Sequence, residues 1–161
     1  MKKHIILFAA LLLLLGQYSF AQSKSVDAMY QKYKGNENFF HLDIGGSFMN
    51  FAKGLNIQLD HGKQEAIANS MERLKMFKLP VSAQTAKTEY NTLRKGLEKE
   101  RFDLTLEMQE KKNGIQVFTK GDKIISDIVV LVRDDKNEVM VLELFGKFDS
   151  ETIADIGKVS R

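Results

Sequence analysis

Few residues in this chain have both the type and the spacing to do chemistry. It contains no Cys, so thiol nucleophiles, disulfides and thiolate metal centres are excluded. Of its three histidines, His4 lies in a leader-like N-terminus, leaving His41 and His61. They stand 20 residues apart, with no second His at i+4 and no HExxH spacing, so a zinc site would need scattered carboxylates. We expect no metal. No Gly-x-Ser-x-Gly nucleophile turn occurs. Asp43-Ile44-Gly45-Gly46-Ser47 has the glycines of an anion-binding turn but neither the lysine of a phosphate loop nor the GxGxxG spacing, and a strand-to-helix turn needs glycines for its own geometry. Asp134-Asp135-Lys136-Asn137-Glu138 lacks the ligand parity and the turn glycine of a calcium loop, and reads as a polar hairpin turn. What remains is a hydrolase built on a His/carboxylate pair, such as Asp43 with His41 or His61. No cofactor is implied.

The residues that stand out are apolar. Phe40, Phe48, Met49 and Phe51 crowd a short stretch, and Phe40 and Met49 fall off the faces that their neighbours define. Such residues either pack under another helix or line a surface for a protein, peptide or apolar ligand.

The elements that would position them follow a leader. Lys2 and Lys3, the apolar run Ile5 to Leu15 and the small residues of Ser19-Phe20-Ala21 have the form of a signal peptide cut after Ala21. As a helix, that 11-residue run rises only about 16 Å, too short for a bilayer core of roughly 30 Å. No later stretch has spanning length, so no transmembrane segment is expected after cleavage, and the product is predicted to be periplasmic or secreted. Residues 22–161 are then one nearly neutral domain of 140 residues, with net charge +1 against +3 for the whole chain. Its Lys and Arg on residues 87–99 are interleaved with Glu, which argues against a nucleic-acid track.

Within that domain, Val26, Met29, Tyr30 and Tyr33 share one helical face that Gly35 ends. Residues 38–44 read as an aromatic-rich strand. Ser47 caps a helix carrying Phe48, Phe51, Ala52 and Leu55, and a further helix is expected from about Lys63 to Lys75, where Ile67, Met71 and Leu74 align. Met76 to Leu79 suggests a short strand. Ser82 caps the longest helix, with Ala86, Tyr90, Leu93 and Leu97 in line. From Phe102 the period becomes 2, so that Phe102, Leu104, Leu106 and Met108 should form a buried face opposite a wet one. Asn113-Gly114, Gly121-Asp122 and residues 134–137 then separate the strands of a meander. A closing helix capped by Asp149 or Ser150 carries Ile153, Ile156 and Val159. The fold class is α+β, a four- to six-stranded antiparallel meander sheet with helices packed on one face.

The leader, the helix ending Tyr33-Lys34-Gly35, the strand from Phe39 to Ile44 leading to Ser47-Phe48-Met49, the run Ser126 to Val132, and Val139 to Gly146 with Ile153-Ala154 form one pattern along the chain. That pattern resembles the exported bacterial family known as domain of unknown function 4252. It implies export and the fold, and carries no catalytic residues. The function expected is that of an exported non-enzymatic envelope accessory or binding protein.

Overall fold

The computed structural model describes residues 22–46, residue 50, and residues 68–111 and 113–150. Helix α1 spans Lys24–Tyr33, strand β1 His41–Gly45, strand β2 Met71–Lys78 and helix α2 Ala83–Lys99. Strands β3 (Asp103–Glu110), β4 (Asn113–Gly121), β5 (Ile124–Arg133) and β6 (Val139–Asp149) follow. All six strands form one sheet in the order β1-β2-β6-β5-β4-β3, with every neighbour antiparallel. The expected meander is therefore β3 to β6, and β2 with β1 extends it beyond β6.

One sheet face carries the core. Phe77, Val141, Leu131, Val129 and Phe118 pack with Val26 and Met29 of α1 and with Ala86, Tyr90, Leu93 and Leu97 of α2. The spacing that marked both helices thus also marks the stripes they bury. Side chains alternate along strands, so the opposite face takes the intervening residues. The register lines up Leu42, Met76, Leu142, Val130, Val117 and Leu106 in a row across all six strands. At one end of that second face, Met71, Ile125, Ile128 and Phe148 form a smaller buried cluster.

The structure changes four expectations. The helix expected to Lys75 is helical at residues 68–70, and from Met71 the chain is strand β2. Pairing of Leu74, Lys75 and Met76 with Leu144, Glu143 and Leu142 of β6 overrides a three-point helical spacing. Strand β3 has no buried face: Leu104, Leu106 and Met108 are 45, 39 and 53% exposed. As an edge strand it is covered by a neighbour on one side only, and a bulge between Leu104 and Leu106 breaks its alternation. Asn113 and Gly114 are not the turn, since they pair with Glu110 and Gln109; the reversal lies between Glu110 and Asn113, where Lys111 has φ 53°. The first strand begins at His41 rather than Asn38. The turns expected at Gly121-Asp122 and at residues 134–137 are present, the second closed by the Asn137 N–H donating to the Asp134 carbonyl at 3.0 Å. Both the helix expected from Ser47 and the C-terminal helix lie outside the described residues.

Helices α1 and α2 touch through a glycine. A Cβ on Gly96 would sit 2.7 Å from Cβ of Ser25, inside the closest separation such atoms adopt. Gly96→Ala gains helix propensity of about 1 kcal/mol but forces the helices apart. We expect a net loss of about 1–3 kcal/mol in denaturant unfolding. A more stable variant would show that the two helices separate without loss.

Candidate functional site

The richest polar construction surrounds the first turn of α1. The opening N–H groups of a helix lack intrahelical partners, and its dipole favours negative charge there. Ser23, the N-cap, accepts from the Val26 N–H at 3.1 Å. Its own N–H donates to Glu143 Oε1 of β6 at 3.0 Å. Glu100, which caps the far end of α2, accepts from the N–H groups of Lys24 at 2.9 Å and Ser25 at 2.7 Å, and from the Ser25 hydroxyl. Two carboxylates distant in sequence thus hold one helix end.

Glu143 is 2% exposed. Burial pushes its carboxyl up to about 7; the Ser23 N–H and Lys75 pull it down, while Asp127 and Asp27 push it further up. Among the described residues its Oε2 has no hydrogen-bond partner, and it lies 4.0 Å from Nζ of Lys75. That ammonium, itself buried, is 3.3 Å from Oδ1 of Asp27 and 5.0 Å from the centre of the Tyr30 ring. On β5, Asp127 is fully buried, and burial raises its carboxyl to about 6 against a hydrogen bond from Ser126 of 3.0 Å.

A rim of aromatic and charged groups lies beside this network. Phe39 stacks on His41 with ring centres 5.5 Å apart, and Tyr30 meets Phe39, His41 and Phe77 edge-on. Asp43 takes a bidentate grip from Arg73 at 2.8 and 2.7 Å, which holds its carboxyl below the ordinary value. Asp43 and Arg73 line an open recess of about 330 Å³ together with Gln22, Gly45, Gly46, Glu72 and Phe145.

Of the residues singled out for a binding surface, Phe40 is 55% exposed just before β1, and Phe48, Met49 and Phe51 lie outside the described residues. For the hydrolase reading, the two groups near each other are His41 and Asp43. His41 packs on aromatic rings and Asp43 is held by Arg73, while His61 lies outside the described residues. Among the described residues, no three of His, Asp and Glu are placed to hold a metal ion. The residues that the sequence reading passed over are Glu143, Asp127, Lys75 and Glu100. The signal for three of them was present: Val139, Val141, Glu143 and Phe145 alternate, as do Ile125, Asp127, Val129 and Leu131, and Lys75 shares parity with Phe77. A charge at core parity marks a buried polar group that needs a partner.

The raised carboxyls give stability a sign with pH. A Glu whose ordinary value is 4.5 and whose folded value is about 7 binds more protons folded than unfolded between those limits. Its contribution is therefore complete below about pH 4.5 and lost as pH rises through about 7, and Asp127 acts the same way up to about 6. Glu143→Gln keeps an acceptor for the Ser23 N–H and cannot ionise. Denaturant unfolding across about pH 5 to 8 should show parent stability falling as pH rises and a clearly flatter profile for the variant. Equal slopes would mean that Glu143 ionises without penalty.

No curated protein and no solved structure matches the chain. A family model does match, over residues 33–156, from the end of α1 through β6. With that match covering most of its length, the chain belongs to the family described as Domain of unknown function (DUF4252).

Proposed function

We propose that the protein is an exported, non-enzymatic accessory of the cell envelope, periplasmic or secreted, that binds another protein, a peptide or an apolar ligand. The observation that carries this reading is the apolar character of the sheet's two outer strands. β1 and its approach present Phe40 at 55% and Leu42 at 38% exposure, and β3 presents Leu104, Leu106 and Met108. An outer strand also offers a row of backbone N–H and C=O groups to an incoming strand. Edge strands are commonly blunted by lysines or by a bulge; β3 has the bulge, whereas the five residues of β1, HLDIG, have neither Lys nor Pro. We therefore assign the binding surface to β1 and Phe40.

The aromatic rings behind β1 support it from within. Phe39 is buried against Tyr30 and Phe77, so its neighbour Phe40 must point away from that cluster. The Arg73 grip on Asp43 favours binding over hydrolysis, because a carboxylate held through both oxygens is a poor proton acceptor. Leader removal near Ala21 remains part of the same reading.

Replacing Phe40 and Leu42 together by Ser tests it. Affinity capture from an envelope fraction with the wild-type chain should retain a partner that the double variant retains at least about tenfold less well. The far-ultraviolet circular dichroism of the two chains should be the same, since both side chains are largely outside the core. Equal capture by the two would remove β1 as the binding surface.

A further inference from the structure

We propose that the α-amino group created when the chain is cut after Ala21 serves as a counter-charge for buried Glu143, so that leader removal adds a positive charge near that carboxyl group. The proposal rests on the export reading above and adds a structural role for the cut. Ser23 is fully buried, and its N–H already donates to Glu143 Oε1 at 3.0 Å. The next backbone nitrogen upstream is that of Gln22, no more than about 3.6 Å further along the chain. An ammonium there lies within about 7 Å of Glu143 Oε1. In the uncut precursor the same nitrogen is a neutral amide.

The charges around Glu143 leave room for such a cation. From α1 it is faced by Asp27, from β5 by Asp127, and from β2 by Lys75 and Arg73. Asp43 holds Arg73 through both oxygens. Lys75 stands between Asp27 at 3.3 Å and Glu143 at 4.0 Å, closer to the former. Among the described residues, Glu143 Oε2 is left without a hydrogen bond at 2% exposure. One lysine is shared by two carboxylates with a third nearby, and a single positive charge at Gln22 offsets that excess. Gln22 itself lines the open recess beside Asp43, Arg73 and Phe145, so a chain end at this residue borders solvent.

One side reaction cancels the charge. An N-terminal glutamine cyclises when its amine attacks its own side-chain amide: the N–Cδ bond forms, the Cδ–Nε2 bond breaks, and ammonia leaves with the amine's proton. The resulting lactam is neutral, which makes it the natural control.

The full chain expressed with its own leader first gives the exported product for intact-mass measurement. We expect it to begin at Gln22 with a free amine. The free-amine chain and the same chain enzymatically converted to the lactam are then compared by carboxyl NMR. The Glu143 titration midpoint should lie about one pH unit lower in the free-amine form. The free-amine chain should also unfold at higher temperature at neutral pH, and Glu143→Gln should abolish that difference. A product that begins at another residue overturns the position of the cut, and the proposal with it. Equal midpoints in chains that do begin at Gln22, or an exported product already carrying the lactam, overturn the proposal while leaving export intact.

Discussion

The first turn of α1 needs acceptors for its free N–H groups, and two distant carboxylates supply them. Glu143 reaches Ser23 from the sixth strand, 120 positions away, and Glu100 reaches Lys24 and Ser25 from the end of α2, 76 and 75 positions away. An internal cap would have fixed only the helix. Because these acceptors belong to β6 and α2, the same bonds also set the height and angle of α1 on the sheet. From that placement follow the burial of Val26 and Met29, the approach of Ser25 to Gly96, and the position of Tyr30 over Phe39, His41 and Phe77. The rim along β1 is thereby tied to a carboxylate at the centre of the sheet.

That arrangement puts opposing demands on Glu143. Capping a helix favours its charged form, and burial at 2% exposure favours the neutral one. Burial is the larger influence, which is why the carboxyl sits near 7 despite Lys75 and the Ser23 N–H. Glu100 does the same capping at a more open position, and Asp43 meets Arg73 at the rim with geometry that favours ionisation. The carboxyls of Glu143 and Asp43 are therefore shifted in opposite directions, the first by burial and the second by its hydrogen bonds from Arg73.

The elements legible in the sequence were those whose partners are all of one kind. Helix α2 shows its stripe of Ala86, Tyr90, Leu93 and Leu97 because one side packs on the core and the other faces water. The strands from β4 to β6 are legible through short turns and runs of β-branched residues. Strand β2 was obscured because Lys75 and Arg73 interrupt its core-facing positions, and the acids that accept from them, Asp27 and Asp43, lie elsewhere in the sequence. Alternation in β3 was plain, yet a period of 2 says which residues share a face and not whether anything covers it. The exposure of Phe40 was foreshadowed by its place off the face of its neighbours. Its setting at an outer strand depends on the order of strands, which local pattern does not encode.

Strand order has a further consequence, for the time at which the domain can assemble. β2 lies between β1 and β6, so the two N-terminal strands join the main sheet only through the last strand to be made. The β3 to β6 meander closes through short local turns, whereas docking of β2 on β6 closes a loop of more than 60 residues. A chain emerging N-terminus first would hold α1, β1 and β2 without the main sheet to join until residues near Asp149 had emerged. Assembly of the whole described sheet is thus deferred until its last strand has emerged, and the timing of compaction is set by β6 rather than by the N-terminal elements.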